Sequence, residues 1–276
     1  MIEVGTGLAI LGSAKVIEKI LGPTSDYIGE HLKEWTEKSV TNIANIFKNT
    51  EKKLGEKINN EGKVPPKVLK GILFDGAWCE EELQVEYFGG VLASSRSGIS
   101  RDDRGAYFVS LISRLSTYQL RTHYLFYHLI KQQFNGEDIN INDANNWTNL
   151  QMFISVNTFY NSMDFTQEEA TNWKNILSHA MWGLKKEELL IGFRYGSKDQ
   201  LKERFTEAKT DGIICQPTKM GVELFMWAYG HGQENTNDFF KSNLEFPNEQ
   251  NIKLGEGIST KKVIEQAKID KEKNNS

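Results

Sequence analysis

Five histidines, two cysteines and one pair of adjacent glycines are the residues of this 276-residue chain from which site chemistry could start. His31, His123, His128, His179 and His231 form no H-E-x-x-H and no other metal-ligand spacing. His123 and His128 lie five apart, which does not align them on one helix face. All five are expected to be packing or surface histidines, and no metal or other cofactor is expected. Cys79 and Cys215 stand far apart without a C-x-x-C partner. Neither a zinc site nor a disulfide framework follows, and a reducing cytoplasm fits. No G-x-S-x-G is present, and neither cysteine has a recognisable catalytic surround. The pairs Glu81-Glu82 and Glu168-Glu169 open predicted helices, where the helix dipole accounts for them. These spacings assign no catalytic residue, so the chain reads as a non-enzyme.

Gly89 and Gly90 lie inside "ELQVEYFGGVLASS", which otherwise reads as an amphipathic helix. A phosphate loop needs G-x-x-x-x-G-K-[ST] or G-x-G-x-x-G after a strand, and this stretch has neither. With Ala93, Ser94 and Ser95 following, the pair predicts a close helix crossing, despite about 1 kcal/mol per glycine lost relative to alanine. Gly89, Gly90 and Ala93 are therefore candidate helix-packing or oligomer contacts, together with Ile10, Ile17 and Leu21 of an N-terminal apolar stripe. Arg96, Arg101 and Arg104 lie in a polar loop. Asp102 and Asp103 interrupt them, so they read as solvated surface contacts rather than a phosphate site. The segment "GTGLAILGSAKVI" suits a helix docked on protein better than one lying on lipid, because its polar face is not rich in Lys or Arg.

These residues must be carried by helices. Ile10, Ala14, Ile17 and Leu21 keep helical spacing; Gly22 ends that helix, and Ser25 or Asp26 can cap the next. Ile28, Leu32, Trp35, Val40, Ile43, Phe47, Leu54 and Ile58 continue the pattern as a long helix or broken pair. "NNEGKVPP" is a linker, with Pro66 placed to open a helix bearing Val68, Leu69, Ile72 and Leu73. Residues 107–115 and 120–134 follow as two aromatic-rich helices. Residues 147–163 fit a helix and a strand equally well. Thr166 and Glu169 form a capping box. "KKEELLIGF" and "SKDQLKERFTEA" look helical, "DGIICQPT" reads as a short strand, and "KMGVELFMWAYG" is a helix ending at Gly230. The charged tail from about 261 reads as frayed.

The totals admit one large domain or two small ones. Fifteen Phe, nine Tyr and six Trp argue against a disordered chain, and a net charge of −4 gives no whole-protein signal for nucleic acid. Nowhere do about 18 clean apolar residues run together, and no signal peptide is evident.

The order of segments carries a resemblance. "LGPTSDYIGEHLKEW", "NIANIFKNTEKKL", "VPPKVLKGIL", "CEEELQVEYFGGVLASS", a variable loop and "YFVSLISRLSTYQLRTHYLF" follow one another as in the abortive-infection alpha family of bacterial phage-defence proteins. Pro65, Pro66, Glu80 to Glu82, Tyr87, Leu92, Ala93 and Ser94 match the family pattern, while Gly89-Gly90 departs from it. The resemblance covers about residues 5–135 and implies a role in stopping phage growth, with no active site to carry over. "GIICQPTKMGVELFMWAYG" resembles the closing strand and helix of a winged-helix unit. The expectation is a mostly α, cytoplasmic protein with an arm (1–62), a central helical domain (63–135), a C-terminal helical region with a strand near 213–217 (136–255), and a tail (256–276). It is expected to act through protein–protein contact with a phage or host trigger and through homo-oligomer formation. A membrane-perturbing effector, peripheral to the inner membrane on activation, ranks second, and a nucleic-acid-binding regulator ranks third.

Overall fold

The computed structural model describes residues 14–21, 36–99, 101–147, 150–248 and 252–259, without the side chains of Ala14 and Lys15. The expectations placed on Ile10, Gly22, Ser25, Asp26, Ile28, Leu32, Trp35 and the charged tail from about 261 lie outside the described residues, whereas residues 257–259 of the segment expected as tail from 256 form a strand paired in the sheet. In chain order the first helices are α1 (Ala14–Leu21), α2 (Glu37–Leu54), α3 (Pro66–Gly76), α4 (Glu82–Ser95), α5 (Gly105–Arg114), α6 (Thr117–Phe134) and α7 (Ala144–Trp147). Then come β1 (Met152–Ser155), α8 (Val156–Met163), α9 (Gln167–Thr171), α10 (Trp173–Lys186) and β2 (Leu190–Gly196). The last are α11 (Lys198–Lys202), β3 (Gly212–Pro217), α12 (Lys219–Ala228) and β4 (Gly257–Ser259). The protein is mostly α-helical with a small antiparallel sheet, ordered β2-β3-β1-β4.

Contacts divide the chain into two units: Met1–Thr117 with Leu224–Glu234, and Tyr118–Glu223 with Asn235–Ser276. These divisions differ from the sequence boundaries at 62 and 135. At the first, α2 packs directly on α4, so helices before and after residue 62 share a core. At the second, α6 (Thr117–Phe134) groups from Tyr118 onward with the later chain.

In the first unit, Thr36 caps α2, its Oγ1 accepting from the Ser39 N–H at 3.2 Å. Gly55, at φ 49°, ends the helix. Pro66 opens α3, where its missing N–H is no loss. Helix α4 is not amphipathic as expected: eleven of its fourteen residues are buried, including every residue from Tyr87 to Ser95. It can be surrounded because it is thin where neighbours approach. A Cβ on Gly89 would meet Asn49 Cβ at 2.7 Å and the Ile46 carbonyl oxygen at 3.1 Å, both on α2. A Cβ on Gly90 would collide with the backbone of Ala228.

Close approach exposes backbone groups that must be paired. The Thr50 hydroxyl lies 2.8 Å from the Ile46 carbonyl and 3.0 Å from that of Gly89, so its one proton serves both. Ser94 Oγ donates to the Trp227 carbonyl and accepts from the Gly232 N–H, each at 3.0 Å.

The second unit is built around α6, in which all ten residues from Thr122 to Lys131 are buried. Residues 147–163 resolve as both alternatives in succession, β1 and then α8, with Ser155 capping the helix by accepting from the Thr158 N–H at 2.9 Å. The strand read in "DGIICQPT" is β3, one of the two inner strands. "KKEELLIGF" is not helical throughout. α10 stops at Lys186, Glu188 takes a left-handed φ of 58°, and the apolar run becomes β2. "SKDQLKERFTEA" keeps only the five helical residues of α11. Its Leu201, Phe205 and Ala208 pack with Phe153 and Ile214 instead.

Gly90→Ala tests the crossing directly. Elsewhere in a helix this change gains about 1 kcal/mol; here it should cost on the order of 1–3 kcal/mol, because backbone must move. Gly98→Ala, facing open space, is the control. Urea unfolding of both variants measures the difference, and a neutral Gly90→Ala would mean the two backbones do not meet.

Candidate interaction surface

Gly89, Gly90, Ala93, Ile17 and Leu21 all lie in the interior of their own unit. They are packing residues and present no surface to a second copy; Ile10 lies outside the described residues. Ile17, Ile20 and Leu21 are each at most 4% exposed, and Lys19 Nζ donates to Asn59 Oδ1 at 3.0 Å.

Arg96 is also not the surface contact the loop suggested. Its guanidinium donates to the carbonyls of Lys19, Lys57, Ile58 and Asn60 at 2.6–3.2 Å. It thereby closes the C-terminal ends of α1 and of the 3-10 turn Gly55–Asn59 with one planar fork. Arg104 grips Asp102 through two bonds of 2.7 and 2.8 Å, bonds Gln233 at 2.9 Å and lies over the Trp227 ring. The Arg104 bonds, with Gln233 assisting, hold the Asp102 carboxyl well below the usual carboxylate range. Of the three arginines only Arg101 is exposed without a described side-chain contact.

The feature that sequence spacing did not single out is the outward side of α3. Val68, Leu69, Ile72, Leu73 and Gly76 are buried, which leaves Lys67, Lys70 and Phe74 on the opposite face, with Trp78 one turn further. Phe74 is 67% exposed and Trp78 68%. Helix α5 lies alongside, parallel to α3. Lys67 meets Asp103, Gly71 faces Val109, and Asp75 accepts from the Ser113 hydroxyl at 2.7 Å. α5 adds Tyr107, 49% exposed. Covering a Phe or Trp that is two-thirds exposed gains on the order of 1–2 kcal/mol each, and aromatic anchors of this kind dominate protein interfaces. The second unit has exposed rings too, but they cover one another. Trp182 sits edge-on to Phe193 at 5.1 Å and under Lys185, and Phe193 stacks on Tyr195 at 5.9 Å. Phe74 and Trp78 make no ring contact among the described residues.

Two other places in the second unit could hold chemistry. A cleft of about 420 Å³ is lined by Trp173, Lys174, Tyr195, Ser197 and Asp211. Asp211 is committed to the chain: its carboxylate accepts from the Lys198 N–H at 2.9 Å, and its carbonyl from the Val156 N–H at 3.0 Å. Lys174 and two aromatic walls remain, which suit a flat ligand and supply no proton-transfer pair.

The other place is a buried polar string on α6. His123 Nε2 donates to the Gly221 carbonyl at 3.0 Å. The Tyr127 hydroxyl donates to the Leu189 carbonyl at 2.6 Å and accepts from the Thr218 N–H at 3.1 Å. Thr218 Oγ1 in turn donates to the Glu188 carbonyl at 2.6 Å and accepts from the Gly221 N–H at 3.0 Å. The string ties α6 to the entrance of β2 and the first turn of α12, a structural assignment. His31 lies outside the described residues, His179 is exposed, and His231 Nδ1 sits 3.0 Å from Glu234. Among the described residues no three His, Cys, Asp or Glu side chains cluster as metal ligands, and no helix is long and apolar enough to cross a membrane.

No family model, curated protein or solved structure matches the chain. The resemblance to the abortive-infection alpha family therefore rests on its ordered segments alone.

Burial pushes the imidazoles of His123 and His128 down to about 3 each. Both are neutral in the fold but take a proton near pH 6.5 once unfolded. Their contribution is fully present above pH 6.5 and is lost as pH falls toward 3, at about 1.4 kcal/mol per pH unit per histidine. His123→Gln, which can still donate to Gly221, should remove about half of the stability lost between pH 6.5 and 4.5 in urea titrations. An unchanged slope would mean that His123 titrates normally.

Proposed function

We propose that this protein serves in phage defence through contact with other proteins and through self-association, without chemistry on a substrate. The observation that carries the contact part is the outward face of α3, where Phe74 and Trp78 stand two-thirds exposed after Lys67 and Lys70. Folding does not require large apolar rings there, and exposed apolar patches mark interaction sites. The biological setting comes from the resemblance of residues 5–135 to the abortive-infection alpha family. The cytoplasm is the proposed location, and a phage or host protein is the proposed trigger.

The test is plating efficiency of a phage panel on cells expressing the full chain or the Phe74→Ser/Trp78→Ser variant. The full chain should lower plating, and the variant should restore it to the level of empty cells. Because both rings face solvent, the variant's Tm should stay within a few degrees of the parent, as surface changes usually do. Plating unaffected by the full chain would sink the defence role. Full protection by the variant would instead remove this face from the mechanism.

A further inference from the structure

The outward stripe of α3 is polarised along its length. Lys67 and Lys70 stand at its N-terminal end, Phe74 and Trp78 follow, and exposed Glu80 and Glu82 lie just beyond its C-terminal end. For α3 itself this polarity is unfavourable, because a helix dipole prefers anions at its start and cations at its end. The first turn of α3 has no acidic residue and its last turn no basic one. Glu82 gains from the start of α4, but nothing within α3 gains from Lys67 and Lys70. The Lys67–Asp103 pair is long at 3.3 Å and its side chains are 72% and 53% exposed, so it is readily exchanged.

A stripe that runs basic, aromatic, acidic is complementary to itself once turned through 180°. We infer that α3 pairs antiparallel with α3 of a second copy about a two-fold axis near Phe74, an inference that rests on the self-association reading above. Each copy then sets Lys67 and Lys70 against the partner's acidic end, and its aromatic centre against the same residues of the partner, as an isologous contact requires. Trp78 comes to oppose the lysine end of the partner helix, where an ammonium and an indole face attract. The acidic end argues against nucleic acid or an anionic lipid surface, which would attract one end of the stripe and repel the other. One helix face with Tyr107 beside it fits the small, reversible class of interface, under about 1,200 Å² in total.

Charge exchange on the full chain tests the pairing. The Lys67→Glu/Lys70→Glu variant and the Glu80→Lys/Glu82→Lys variant each place like charges at both ends of the proposed dimer. Each alone should associate about tenfold or more weakly than the parent in sedimentation velocity across a concentration series. Mixed in equal amounts, they restore attraction at both ends and should form a heterodimer, weakened by added salt. Trp78→Ser, with Tm and circular dichroism followed, serves as the second variant and should also weaken association. A parent that stays monomeric up to about 1 mM, either charge variant dimerising like the parent, or a mixture that stays monomeric would overturn the pairing. If the parent dimerises but the mixture does not, self-association stands and this surface falls. If the heterodimer forms while the full chain fails to lower phage plating, the pairing stands and the defence reading falls.

Discussion

Helix α4 is enclosed on every side from Tyr87 onward, and the first unit follows from how a helix can be enclosed. Large side chains all round would hold its neighbours at the usual 8–10 Å between axes. Gly89 and Gly90 remove that spacing, so α2 and the end of α12 approach the backbone itself. The approach is useful only if the polar groups it strips of water are paired, since each one left unpaired costs about 1–3 kcal/mol. Thr50, Ser94 and the segment 227–233 supply those pairs. The serines that follow the glycines therefore belong to the same solution: Ser94 bonds outward to Trp227, and Ser95 turns back to the Val91 carbonyl at 2.7 Å.

The second unit meets the same demand with different residues. Helix α6 is also enclosed, but it carries aromatic and imidazole rings and no glycine of its own, and so it buries donors and acceptors with them. Tyr127 and His123 find partners in backbone that would otherwise be left open, at the β2 entrance and the first turn of α12. Burial and neutrality are linked here. Burial disfavours a protonated imidazole at both positions, and at His123 the nearby His128 adds to that against the opposing bond to the Gly221 carbonyl. Tyr127 is likewise held in its neutral form, chiefly by burial.

Local rules read from sequence survive where the interaction is itself local. Pro66 opens a helix, Thr166 and Glu169 form their box, and Gly230 closes α12 with φ 84°. The glycine pair was also legible, because its neighbours excluded a phosphate loop. Arg96 was not, since its four acceptors are backbone carbonyls 36–77 residues away that carry no side-chain signature. "KKEELLIGF" is ambiguous because a short apolar run after a helix fits helix or strand alike; a left-handed Glu188 and pairing with β3 decide it. The proposed interaction surface is illegible for a different reason. Periodicity identifies the side of α3 that faces the core, and Val68, Leu69, Ile72 and Leu73 satisfy it, but it carries no signal about the opposite side.

That opposite side is where folding leaves the most freedom. The inner face of α3 is fixed by contacts with α4 and α5, and Gly71 and Asp75 are fixed by Val109 and Ser113. Residues 70, 74 and 78 answer to none of these constraints, and Lys67 meets only its exposed pair with Asp103. Solubility alone would fill such positions with charge, as it does at 67 and 70. Phe74 and Trp78 instead hold rings in water at a standing cost, on a helix whose charges oppose its own dipole. Two departures from what the fold requires, on one stripe and in register with each other, need a common cause. A partner that covers the rings and answers the charges would supply one, and the proposed second copy of the chain answers both ends.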